Sequence, residues 1–230
     1  PLSAEESDLI LVPVPWEVTT SYGAGAGLGP KIIRQASEQL DLFDLETGKA
    51  YEQGFHMTEF PEDLYQKNLK FKNMAQEIIR IQTNLEDNQN ELTSLTNAVN
   101  QACQEMSEYV YQTTKKWMDK GKLVGLVGGD HSTPLGFIKA VSEKYKSDFG
   151  ILHIDAHADL RQEYQGFKQS HASIMRNVMT SDFKPKKLVQ VGIRDFCEAE
   201  FDFIQSRSDI ETFFDIHNKQ IDLNYVFLLS

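Results

Sequence analysis

Two short runs gather the side chains best suited to chemistry. Gly128-Gly129-Asp130-His131-Ser132 follows an apolar stretch directly, so its glycines allow a tight turn that presents His131 at the carboxyl end of a strand, where ligands of α/β sheets collect. The second is Asp155-Ala156-His157-Ala158-Asp159, again behind an apolar stretch. In extended backbone, residues i, i+2 and i+4 share a face, so Asp155, His157 and Asp159 are expected to converge on one point. If the two strands are neighbours, His131 joins them. Two imidazoles and two carboxylates without a thiolate suit a borderline to hard divalent ion: Mn²⁺ first, with Zn²⁺, Fe²⁺ or Co²⁺ also open. A pair of such ions would activate a water against an electrophilic carbon or phosphorus, without a protein nucleophile.

Bland readings compete with this one. An isolated Asp-x-His is commonplace. Three polar groups closing a largely apolar strand are another matter, because burying them costs free energy unless something pairs them. His153, two residues earlier and deeper, reads as a core histidine with a satisfied hydrogen bond. Asp130 reads as the group that orients its neighbour His131. Cys197 has no spaced partner and reads as a small packed residue.

The elements that must position these residues are legible as short apolar runs at 9–14, 123–127, 149–154 and 188–193, with a fifth at 225–229. They are nearly continuous rather than alternating, as strands of a parallel sheet covered on both faces are. Ser132-Thr133-Pro134 begins a helix that carries Leu135, Ile138, Val141 and Tyr145, which completes a strand–turn–helix–strand unit. Gly29-Pro30 opens a second helix over 31–40, with Ile32, Ile33, Ala36 and Leu40 on it. Residues 62–120 hold no Gly or Pro, and Leu92, Leu95, Val99, Ala102, Met106 and Val110 recur at helical steps. This predicts long helix that covers the core or forms a hairpin arm, with polar residues 83–90 as the loop of a hairpin. The expected fold is a three-layer α/β sandwich with a central, mainly parallel sheet, in a single domain over residues 1–230.

The bulk properties exclude other classes. With 23 Lys+Arg against 34 Asp+Glu the net charge is −11, and no local basic stripe offers itself to nucleic acid. No apolar run approaches the roughly 18–20 residues that span a bilayer. Two cysteines cannot build a disulfide framework, so a reducing, cytoplasmic setting is expected.

At the two central runs the chain resembles the ureohydrolase family of arginases, agmatinases and their relatives. Gly128 to Ser132 matches the family's GGDHS segment, and Asp155 to Asp159 its DAHxD segment, in the same order and at a like separation. Ser170-His171-Ala172-Ser173 is similar to the His-containing segment that follows, Val191-Gly192-Ile193-Arg194 to the family's GIR strand end, and Gly25 through Pro30 with Ile33-Arg34 to its glycine-proline helix start. The binuclear metallophosphoesterases, which also use Asp-x-His, place it before a Gly-Asp segment and need a later Gly-Asn-His; here the order is reversed and that motif is missing.

The resemblance implies an arginase-like fold and two Mn²⁺ ions. His131 and Asp159 would bind one ion, His157 the other, and Asp155 would bridge them. Asp159 would also hydrogen-bond the attacking hydroxide, and His171 would serve proton transfer or substrate contact. The implied reaction releases urea and an amine from a guanidino substrate. Asp159-Leu160-Arg161, Tyr164 and Gly166 favour agmatinase-like members, with arginase or formimidoylglutamase activity as alternatives. A homo-oligomer is implied as well. The family completes its site with a later Asp-x-Asp segment, and 225–230 resembles the strand leading into it. The chain is therefore expected to be a C-terminally incomplete domain with four of six ligands, and a non-catalytic metal-binding or interaction protein is the remaining alternative.

Overall fold

The computed structural model describes residues 2–84 and 89–218. The chain divides into two compact units, one reaching Ala140 and the other beginning at Val141; the helix over Leu135–Tyr145 runs across the division.

The first unit is built on a three-stranded parallel sheet of order β2-β1-β3, from β1 (Leu9–Val14), β2 (Phe55–Met57) and β3 (Leu123–Gly128). β1 lies in the middle, with Leu9 opposite both Phe55 and Leu123 and Val14 opposite Gly128. Its Ile10, Val12 and Val14 are wholly buried, as the continuous apolar run predicts. After β1 comes α1 (Gly29–Ala36), with Pro30 in its first turn. The expected helix over 31–40 is thus shorter, a 3₁₀ turn taking over at Ser37–Gln39, and Ile32, Ile33 and Leu40 stand exposed.

The long helical region is a hairpin. α2 (Glu62–Thr83) and α3 (Gln89–Asp119) flank the polar segment read as a loop, of which 85–88 fall outside the described residues. Leu64, Ala75, Ile78 and Ile81 of α2 are buried, as are Val99, Ala102, Cys103, Met106 and Val110 of α3. An exposed Lys67–Glu105 ion pair at 3.1 Å links the two helices. Burial pushes the Cys103 thiol up to about 12, which makes this cysteine a packing group.

The second unit repeats the principle with a parallel sheet of order β4-β5-β6, from β4 (Gly150–Ile154), β5 (Lys187–Ile193) and β6 (Ile210–Phe214). It follows α4 (Leu135–Tyr145), and α5 (Ile174–Met179), α6 (Glu198–Gln205) and α7 (Asp215–Asn218) complete the described part. Its core holds Leu160, Phe167, Ile174, Val178, Leu188 and Ile193. β5, the middle strand, is buried as predicted. β3 and β4 have one neighbour each among the described residues, and Leu123, Leu152 and Ile154 on them are exposed. The fifth predicted strand, at 225–229, lies outside the described residues. Neither β2 nor β6 was legible: β2 spans three residues, and β6 mixes Glu211 and Thr212 into its run. Among the described residues, no helix is long and apolar enough to cross a membrane.

Candidate metal centre

In the first unit, the turn after β3 is fixed by its backbone. A Cβ on Gly129 would lie 2.0 Å from the Trp16 carbonyl oxygen, so only glycine lets the turn pass the end of β1. The Asp130 N–H donates to that same oxygen at 2.8 Å. Its carboxylate accepts the Ser132 N–H at 2.8 Å and the Ser132 hydroxyl at 2.5 Å, and the buried Thr19 hydroxyl at 3.4 Å. Asp130 therefore sets the turn that carries His131, through its contacts with Ser132, Thr19 and the Trp16 carbonyl.

The segment after β1 is pinned in its turn by α2. The Lys72 ammonium, almost wholly buried, donates to the carbonyls of Glu17 at 3.0 Å and Thr20 at 2.8 Å, and to the Thr20 hydroxyl. Burial lowers the Lys72 pKa, while the charges of Glu17 and Asp130 oppose that shift. The buried Glu17 carboxylate accepts the N–H groups of Gly25 and Ala26 at 2.9 and 3.0 Å, and Asn68 accepts the Glu17 N–H at 2.7 Å. Ordinary helix positions thus turn out to hold the loop against which Gly129 and Asp130 rest.

In the second unit the strand ends at Ile154, before the motif begins. The alternation expected for Asp155, His157 and Asp159 does not extend through the segment, because the backbone leaves the extended region: Asp159 has φ +53°. An aspartate tolerates that left-handed conformation better than most residues. The Asp159 carbonyl accepts the N–H groups of Met175 and Arg176 at the start of α5, at 3.0 and 3.2 Å, which holds it there. Just beyond the end of β5, the Ala156 carbonyl accepts the Arg194 and Asp195 N–H groups at 2.8 and 2.9 Å. Gly192 makes room with φ +89°; a Cβ there would meet the Asp155 carbonyl oxygen at 3.1 Å.

The outcome is a different convergence. One ligand atom each of His153, Asp155 and Asp159 lies within 4.8 Å of the others, with His153 and Asp159 buried. His157 is turned outward. Its side chain is 60% exposed, with Nδ1 3.3 Å from Asp155 Oδ1 and Nε2 3.7 Å from Asp195 Oδ2, while its N–H donates to Asp155 Oδ1 at 2.9 Å. His153 matches the core histidine expected from its position, since Nδ1 is 2.9 Å from the buried Gln190 amide nitrogen.

Beside the carboxylates lies a cavity of about 230 Å³, walled by His157, Asp159, Arg161, Tyr164, His171 and Asp195, among others. His171, an ordinary surface histidine by composition alone, meets the Tyr164 ring edge-on at 5.7 Å from a 3₁₀ turn started by a Ser170–Ser173 capping box. Glu200 was not singled out from the sequence. It is buried and accepts the N–H groups of Leu160 at 2.9 Å and Cys197 at 2.9 Å, with Arg161 3.7 Å away. The signal for it was local: three residues after Cys197, it closes a capping box at the start of α6.

Two carboxylates drawn together in a segment that borders a cavity, with imidazoles on the cavity wall, define an α/β protein with a centre able to hold a divalent ion. Comparison with known proteins sharpens this. The model of the Arginase family matches residues 7–226, and the chain belongs to that family. It is 34% identical over 191 residues to N(1)-aminopropylagmatine ureohydrolase from Thermus thermophilus, covering 83% of this chain and 52% of that protein. To agmatinase from Bacillus anthracis it is 28% identical over 207 residues, covering 87% of this chain and 57% of the relative. The chain thus spans somewhat more than half the length of these curated relatives. Among solved structures, the agmatine ureohydrolase of Thermoplasma volcanium superposes with a TM-score of 0.71 at 20% identity, covering 100% of this chain and 64% of that one. The arginase from Medicago truncatula gives 0.67 at 24% identity, covering 94% and 58%. These likenesses establish the arginase-type α/β fold.

Proposed function

We propose that this protein hydrolyses a guanidino compound of the agmatine class to urea and an amine, using manganese at a centre made by His131, Asp155, His157 and Asp159. The observation that carries this reading is the approach of Asp155 and Asp159 beside a cavity walled by His157 and His171, in a chain of the Arginase family. The donor set of carboxylate and imidazole, with no thiolate, fits Mn²⁺. Bound there, the metal supplies Lewis acidity, which lowers the pKa of water towards neutrality.

The residues of the chain do the rest. Asp159, held in its left-handed conformation by the start of α5, accepts a hydrogen bond from the attacking water and orients it at the guanidinium carbon. His171, on the same cavity wall, hands a proton to the departing amine or contacts the substrate. Relatives named for agmatine and aminopropylagmatine favour a substrate with a cationic tail, and the excess of acidic residues favours its approach. The proposal further takes residues 1–230 as belonging to one ureohydrolase domain, two ions per centre, a homo-oligomer and a cytoplasmic location. Arginine and formimidoylglutamate are the competing substrates.

The test is urea release with added Mn²⁺ over a panel of agmatine, arginine, formimidoylglutamate and guanidinobutyrate. Agmatine is expected to be turned over best, and Asp155→Asn to lower kcat/KM by about 10³-fold or more. Metal binding without urea from any of the four would overturn the hydrolase reading in favour of a non-catalytic metal-binding protein.

A further inference from the structure

His153 stands among the atoms able to gather around an ion, yet its hydrogen bonding assigns it a different task. Gln190 is wholly buried in the middle of β5, opposite His153 in the β4–β5 register. The Gln190 carbonyl oxygen accepts the Thr212 hydroxyl of β6 at 3.0 Å, and its amide nitrogen donates to the Ala158 carbonyl at 2.8 Å. The Ala158 carbonyl only accepts, so that contact fixes which end of the amide is which, and the Thr212 hydroxyl is free to donate to the other end. The same amide nitrogen sits 2.9 Å from His153 Nδ1. An amide nitrogen only donates, so Nδ1 accepts and carries no proton. The ring proton of the neutral imidazole is then on Nε2, which lies 3.4 Å from Asp155 Oδ2.

We propose that Gln190 fixes His153 as the Nε2–H tautomer, so that His153 is a positioning residue which holds the Asp155 carboxylate and does not itself coordinate the ion. The part of this inference that concerns an ion rests on the metal-centre reading above. A nitrogen that bears a proton has no lone pair for a metal, whereas an N–H beside a carboxylate orients it and fixes its rotamer. Asp155 is approached from two sides in consequence: Oδ2 lies 3.4 Å from His153 Nε2, a contact short enough for the N–H to orient it, and Oδ1 accepts the His157 N–H at 2.9 Å. The chain Thr212–Gln190–His153–Asp155 thus crosses the sheet from β6 to the motif. It gives a reason for a glutamine among the apolar residues of β5, where an unpaired amide would be costly.

The experiment uses ¹⁵N-labelled protein and reads the imidazole nitrogens of His153 by NMR, first without metal and then with saturating Zn²⁺, a diamagnetic probe. The expected result is one tautomer with the proton on Nε2, retained when Zn²⁺ is added. A proton on Nδ1, or loss of the Nε2 proton on adding Zn²⁺, would overturn the proposal. Gln190→Leu is expected to abolish the single tautomer and to speed hydrogen exchange at the His157 amide, which reports the hold on Asp155; unchanged ring signals and exchange would count against it. His153→Phe is expected to weaken Mn²⁺ binding about tenfold, within the range for loss of a group that orients a ligand, and unaltered affinity in the folded variant would refute the positioning role. Should that variant fail to fold, Gln190→Leu decides alone. Wild-type protein that shows the tautomer but binds neither ion would sink the metal-centre reading and leave the Gln190–His153 arrangement standing.

Discussion

The turn after β3 and the segment after β4 both close a parallel strand with polar residues, and they are built on opposite principles. Around Asp130 the buried polar groups serve one another: Lys72 and Glu17 are consumed in holding backbone, and Thr19 and Ser132 donate to the Asp130 carboxylate. Around Asp155 the carboxylates are drawn towards each other beside a cavity, an arrangement that is costly without a cation or a donor among them. A motif's place at a strand end therefore does not say which of its residues are scaffold. Where their oxygens lie says more: the Asp130 carboxylate braces its own turn, while Asp155 and Asp159 bring carboxylate oxygens close to one another in a segment that borders a cavity.

This contrast can be broken by substitution. The largest effect on stability is expected from Gly129→Ala, because its Cβ would overlap the Trp16 carbonyl, a backbone atom that cannot swing away. A loss of more than about 3 kcal/mol is expected in chemical denaturation, and a near-neutral result would show that the β1 and β3 ends are not rigidly matched. Gly192→Ala meets a looser contact, at 3.1 Å from the Asp155 carbonyl, together with a left-handed φ. It should cost about 1–2 kcal/mol and shift Asp155, which would be read as weakened Mn²⁺ binding; a loss of stability as large as that of Gly129→Ala would erase the difference between the two regions.

The smallest effect is electrostatic and lies in the second unit, away from the motif. Asp209 accepts from both Arg207, at 2.5 and 2.7 Å, and Lys184, at 2.9 Å, and these cations hold its carboxyl far below the usual carboxylate range. A carboxyl depressed in the folded state adds stability above its unfolded pKa, and that contribution disappears as pH falls through the folded value. Asp209→Asn should therefore cost about 1 kcal/mol near pH 7. The gap from wild type should narrow steadily as pH falls below about 4, the ordinary aspartate range. A gap independent of pH would mean that Asp209 acts by packing alone.

Much of this was legible in the chain itself. The apolar runs located β1, β3, β4 and β5 because strands covered on both faces need no alternation, and Pro134 and Pro30 marked helix starts. The hairpin of α2 and α3 followed from its lack of breakers and its polar middle. The segment 155–159 was read as extended on the strength of its spacing, yet the hydrogen bonds from α5 to the Asp159 carbonyl bend it, and no local signal carries that information. The exposure of Ile32 and Ile33 was not legible either: an apolar stripe says that a face can be buried, not that the described part of the chain buries it.

What the sequence determined by itself was the set of chemical groups, two Asp-and-His runs behind apolar strands, and with them the family and the kind of ion they suit. Only the tertiary structure decided how those groups divide their work. Gln190, thirty-seven positions from His153, turns that imidazole into a donor, and Lys72 and Glu17 of the first unit hold the loop on which the Asp130 turn rests. Hydrogen bonds between residues distant in the chain depend on register and burial, and these exist only once the strands have paired and excluded water.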